Sequence, residues 1–145
     1  MSLRSSLRWA MFLLTAMPAF WMTPSMAQDG GDKSAIQSVI SRQMDAFKHD
    51  DAAGAYAYAA PGIKALFPDP DGFLAMVRSK YAPVYRPKGI AFGELKATEQ
   101  GLTQTVAIID AEGQAWTALY VLAKGPDGQW QITGCFLIKA VETNT

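Results

Sequence analysis

The sequence predicts an α+β domain, its helices followed by a four-stranded antiparallel sheet, and three observations carry that expectation. Apolar residues recur at helical spacing between Ser34 and Tyr81. From Gly89 the period shortens and β-branched and aromatic residues become frequent. The strand-like runs are joined by connections too short for crossovers, and a block of helices followed by a block of strands is the order of an α+β fold.

The chain opens on a different kind of segment. Arg4 and Arg8 precede an apolar run from Trp9 to Met22, shorter than the roughly twenty residues a helix needs to cross a bilayer. Pro24 then interrupts, and Ser25-Met26-Ala27 places small residues at the positions a signal peptidase requires. Residues 1–27 are therefore expected to be a secretory signal peptide, with periplasmic or secreted localisation after cleavage near Ala27. Contact with a membrane is expected only through this segment, during export. Residues 28–33 read as a flexible lead-in and 34–141 as one domain.

The first helix is expected to start at Ser34, whose spacing to Gln37 resembles a capping box, and Ile36, Val39, Ile40, Met44 and Phe47 lie along one side of it. Asp50-Asp51 interrupts the helix and can cap a second through Tyr56, Tyr58 and Ala60, which Pro61-Gly62 ends. Ile63 to Phe67 forms at most a further turn. Asp69-Pro70 opens a third main helix carrying Phe73, Leu74, Val77 and Tyr81, and Pro83 and Pro87 stop it. Strands are expected over Gly89–Lys96, Leu102–Asp110, Gln114–Lys124 and Gln129–Lys139, paired as a meander. The third is apolar on both faces. In the fourth, strict alternation puts Trp130, Ile132, Phe136 and Ile138 on one side. Ile36, Ile40, Phe47, Phe73, Val77, Tyr120 and Phe136 are expected to be buried, and His49 and Asp45 exposed.

Composition narrows function mainly by exclusion. Lys and Arg total 13, as do Asp and Glu. With Arg4 and Arg8 removed the charge falls to about −2, which offers no basic patch for nucleic acid. Cys135 is the single cysteine and His49 the single histidine, so neither an internal disulfide nor a zinc-type ligand set is expected. No phosphate-binding glycine motif or nucleophile elbow is present. No cofactor is expected. On a helical wheel His49 falls about 140° and Asp45 about 180° from Ile36, on the wet side.

Gln43 falls about 20° from Ile36, in the middle of the apolar stripe, where an unpaired amide is costly. It either ties to backbone or points into a cavity. Tyr85 and Arg86, between two prolines, could present an aromatic ring and a guanidinium at a pocket mouth, or simply stiffen a connector. Tyr56, Trp116 and Tyr120 could line a hollow between helix and sheet, or be core. Cys135 reads as a small apolar side chain. The candidate binding set is thus Gln43, Tyr56, Tyr85, Arg86, Trp116 and Tyr120, with no catalytic residue among them.

The order of elements resembles the nuclear transport factor 2-like, or cystatin-like, superfamily. The stretches Gln43-Met44-Asp45-Ala46-Phe47, Asp50-Asp51-Ala52-Ala53, Tyr58-Ala59-Ala60-Pro61-Gly62-Ile63, Phe73-Leu74-Ala75-Met76-Val77, Tyr81 to Pro87, Trp116-Thr117-Ala118-Leu119-Tyr120, Asp127-Gly128, Trp130 and Gly134-Cys135 are similar to a bacterial family of exported proteins of unknown function. The resemblance implies helices packed in the hollow of a curved sheet, a cone, and no activity. Two functions then remain. One is a non-catalytic exported domain binding a small apolar ligand or a protein partner, with a homodimer formed through the sheet face. The other is an acid–base isomerase, cyclase or dehydratase of ketosteroid isomerase-like type, which needs a carboxylate inside the cone.

Overall fold

The computed structural model describes residues 26–141, with side chains from Gly30; the expected signal peptide lies almost wholly outside the described residues. Helices α1 (Met26–Lys48), α2 (Ala52–Tyr56), α3 (Pro61–Leu66), α4 (Pro70–Lys80) and α5 (Ala82–Tyr85) precede strands β1 (Gly89–Thr98), β2 (Gly101–Ile109), β3 (Ala115–Lys124) and β4 (Trp130–Lys139). The α1 stripe is as the periodicity requires: Ile36, Ile40, Met44 and Phe47 are buried. Its start is not. The helix begins at Met26, so Ser34 and Gln37 lie in its interior and residues 28–33 continue it. Gln37 instead donates from Nε2 to Gln104 Oε1 at 3.3 Å, and Asp32 reaches Lys124 at 3.4 Å.

The end of α1 shows how local chemistry sets direction. The Asp51 amide bonds to the Ala46 carbonyl and the Asp50 amide to that of Phe47, with Asp50 in the left-handed region at φ 54°. This is a Schellman stop with aspartate in the place glycine usually takes. Asp51 then caps α2 by accepting from the Gly54 amide at 2.9 Å. The second helix is shorter than expected, because Tyr58 to Ala60 leave it to join β4: the Ile132 amide donates to the Tyr58 carbonyl and the Ala60 amide to the Ile132 carbonyl, each at 2.8 Å. Pro61 consequently starts α3 rather than ending α2, at the position where a missing amide hydrogen costs nothing. Asp69 caps α4 through the Gly72 amide at 2.8 Å, with Pro70 following, as the sequence indicates.

The sheet is antiparallel throughout, in the order β1-β2-β3-β4. On the inner face of β3, Ala118, Tyr120 and Leu122 are buried. In β4 the register shifts: Val121 opposes Gly134 while Leu122 opposes Ile132, leaving Thr133 as an extra residue. A bulge of this kind reverses the alternation beyond it. Cys135 and Leu137 therefore pack on the core, and Phe136 and Ile138 face outward, 55% and 53% exposed. This corrects the expectation that Phe136 is buried. The other six residues expected in the core are there, and His49 and Asp45 are exposed.

Candidate functional site

A cavity of about 250 Å³ lies between the helices and the β3–β4 half of the sheet. Its deep walls come from Phe47 of α1, Phe73 and Val77 of α4, and Tyr120 and Ile132 of the sheet, all buried. Ile63, Leu66 and Phe67 of the α3 turn, Met76, Tyr81 and Val84 near the α4–α5 junction, and Gly134 and Phe136 of β4 complete it. Two apolar side chains at its lip stand in solvent, Leu66 at 75% and Phe136 at 55% exposure. Among the described residues, no Asp, Glu, His, Lys or Arg lines it. Surface grooves reach larger volumes, about 390 Å³ beside Asp32, Lys33 and Glu94, but these are edged by charged side chains.

Four lining residues carry polar side-chain groups able to donate a hydrogen bond: Gln43, Tyr81, Tyr120 and Cys135, of which Tyr81 is half-buried. Gln43 is buried and donates from Nε2 to the Ala55 carbonyl at 3.1 Å, tying α1 to α2. That bond uses one of the two N–H donors and leaves the amide oxygen, an acceptor, and the second N–H for other partners. Tyr120 is only 1% exposed, and its hydroxyl makes no hydrogen bond among the described residues. Burial pushes its pKa well above the ordinary tyrosine range, and the cross-strand Cys135 adds to the effect without supplying a hydrogen bond of ordinary geometry. Burial likewise pushes the Cys135 thiol up to about 12, so both groups are neutral at physiological pH and the thiol is a poor nucleophile.

The remaining sequence candidates lie outside the cavity lining. The Tyr56 hydroxyl donates to the Phe67 carbonyl at 2.7 Å and its ring packs on Phe73, which fixes the α3 turn forming one wall. Tyr85 and Arg86 both bond to Asp50, Arg86 Nη2 to Oδ2 at 2.7 Å, and the guanidinium lies 4.8 Å from the Tyr85 ring. They hold α5, and with it Val84, against the α1–α2 turn. The Tyr85 hydrogen bond, helped by the Arg86 and Arg78 charges, keeps the Asp50 carboxyl below its ordinary value of 3.8 despite some desolvation. Trp116 Nε1 donates to Asp110 Oδ2 at 2.8 Å. Asp110 is itself buried at the β2–β3 turn. Desolvation works to raise its pKa, but Trp116 and the backbone amides of Gln114, Glu112 and Gly113 outweigh this and hold it low. Of the six candidates, then, Gln43 and Tyr120 meet in the cavity, and the other four brace the structure around it. The α3 side chains and Gly134 are the lining that sequence reasoning missed. Their only signal was the short apolar turn from Ile63 to Phe67.

A nuclear transport factor 2-like protein of unknown function from Shewanella baltica OS155 superposes with a TM-score of 0.52, at 14% identity, covering 83% of this chain and all of the other. ActVI-ORFA from Streptomyces coelicolor gives a TM-score of 0.46 at 19% identity, covering 74% of this chain and 96% of its own. No curated protein matches the sequence. Residues 30–145 match the family described as Domain of unknown function (DUF4864). With the match spanning most of the sequence and the helices seated on a four-stranded antiparallel sheet, the chain belongs to that family and has a nuclear transport factor 2-like fold.

Proposed function

We propose that this protein is an exported, non-catalytic domain that holds a small apolar molecule in the cavity between its helices and sheet. The observation that carries the proposal is the lining: a largely apolar recess of about 250 Å³ in which Gln43 and Tyr120 are buried neutral polar groups and to which, among the described residues, no charged side chain contributes. Ligand sites are typically of this kind, apolar walls with a few placed polar atoms. The acid–base alternative lacks support at the same place. A proton-transfer site needs a histidine or a carboxylate poised within reach of the substrate, and the buried carboxylate of Asp110 is engaged in a turn.

The test is calorimetric titration of the purified protein with a panel of neutral aromatic and aliphatic compounds, alongside Ile63→Trp, which fills the cavity from the α3 side. Saturable one-to-one binding that the variant weakens at least tenfold, while unfolding at a similar temperature, supports the reading. Turnover of any panel member, or equal binding by the variant, contradicts it.

The same proposal assigns the outer sheet face to a second copy of the chain. Phe136 belongs both to the cavity lip and, with Ile138 beside it on β4, to the exposed apolar surface. An isologous contact centred there buries the same side chains twice and covers the mouth. Sedimentation equilibrium is expected to give a dimer, and Phe136→Glu a monomer; a monomeric parent protein removes this part of the proposal.

A further inference from the structure

We infer that the ligand of this cavity is a neutral molecule of one or two rings carrying a single hydroxyl or carbonyl oxygen, and that this oxygen accepts a hydrogen bond from Tyr120. The inference rests on the binding reading above and goes on to name the chemistry bound.

Size sets the body of the ligand. A dry cavity of about 150 Å³ accepts benzene, and pockets for drug-sized molecules begin near 300 Å³. The space here, about 250 Å³, falls between them. Charge sets its ionisation state. An ion entering would lose its hydration with no opposite charge in the lining to replace it, so a carboxylate or ammonium is disfavoured.

The oxygen follows from an unpaired atom. A buried hydroxyl without a partner is rare in folded proteins and calls for an explanation. The Tyr120 hydroxyl is such a group, on a side chain that lines the cavity and beside the weakly bonding Cys135 thiol. It stays protonated, so it can donate. Gln43 also lines the cavity and keeps an acceptor oxygen, so a ligand hydroxyl could accept from Tyr120 while donating to Gln43. Apart from the thiol and the half-buried Tyr81 near the α4–α5 junction, the rest of the lining is apolar, so a polar group on the ligand away from these side chains would be left unpaired, which sites of this type reject strongly. Since the Cys135 thiol remains protonated, association is non-covalent.

The experiment compares naphthalene, 1-naphthol and 1-naphthoate on the wild-type protein and on Tyr120→Phe, by calorimetry and with the unfolding temperature of each protein as a control. In the wild type, 1-naphthol is expected to bind about tenfold more tightly than naphthalene, the scale of one buried hydrogen bond. 1-Naphthoate is expected not to saturate. In Tyr120→Phe the advantage of 1-naphthol shrinks to within about twofold while naphthalene still binds. If naphthalene and 1-naphthol bind equally in both proteins, or 1-naphthoate binds best, the inference about ligand class is wrong and the binding reading stands. If none of the three binds to folded wild-type protein, both fall. Should the variant fail to fold, the wild-type series decides, together with the Tyr120 hydroxyl proton resonance. A downfield shift with 1-naphthol but not with naphthalene supports the assignment; the same response to both overturns it.

Discussion

Tyr120 is the residue at which stability and binding pull in opposite directions. Its ring fills the core beside Cys135, yet its hydroxyl is buried without a partner, a condition that costs about 1–3 kcal/mol. Tyr120→Phe is therefore expected to raise the stability of the ligand-free protein by about 1 kcal/mol, read from the denaturation midpoint. A loss of that size would mean that the hydroxyl does have a structural partner. Gln43 should behave in the opposite way. Gln43→Leu removes the donor to the Ala55 carbonyl and is expected to destabilise by about 1–3 kcal/mol in the same assay. The position of Gln43 was legible in the sequence because a polar residue inside an apolar stripe stands out by its spacing. That Tyr120 would lack a partner, while Tyr56 and Trp116 would find theirs in Phe67 and Asp110, was not. Those outcomes depend on neighbours brought together only by the tertiary fold.

At the scale of elements, helix caps and strand breaks were written locally and could be read: Asp51 and Asp69-Pro70 place the starts of α2 and α4, and the short turns place the ends of the four strands within a residue or two. The misreadings came where a distant element intervened. Tyr58 to Ala60 leave α2 because β4 offers them hydrogen bonds, and the β4 bulge exchanges Cys135 for Phe136 on the inner face. Gly101 marks a third such dependence. It sits at φ 135°, and a side chain there would put its Cβ 2.8 Å from the Leu122 carbonyl oxygen. Gly101→Ala is expected to lower stability by more than about 1 kcal/mol, a backbone strain cost, where an ordinary surface change stays within about half of that. The turns also carry the acid response. Asp50 and Asp110 have folded-state pKa values below the ordinary 3.8, so the stability they contribute is present above that value and is lost as pH falls through the lower, folded value. Asp50→Asn and Asp110→Asn are each expected to be less stable at pH 6 and to lose less on acidification below about pH 4, measured as unfolding temperature against pH. Parallel curves for variant and parent would show that these contacts do not titrate as described.

For the whole molecule, the cavity is a product of assembly: α3 closes one wall only because Tyr56 anchors its end at Phe67, and Val84 closes another only because Asp50 holds Tyr85 and Arg86. No stretch of sequence contains that enclosure, and the resemblance to a known fold supplied the cone but not its contents. Export belongs to the same scale. Expressed with its own N-terminus in a Gram-negative host, the protein is expected in the periplasm with its mature end within a residue or two of Gln28, as read by mass spectrometry; full-length protein in the cytoplasm contradicts this. The claim that matters most is that the cavity is a binding site. Its most direct test is a methyl-detected NMR titration of the protein with 1-naphthol. The account predicts saturable shifts at Ile63, Val77, Val84 and Ile132, four of the methyl-bearing residues of the wall, with Ile109 and Ile90 on the far strands unmoved. Shifts confined to Ile109, Ile138 and the outer sheet face, or none that saturate, would contradict it.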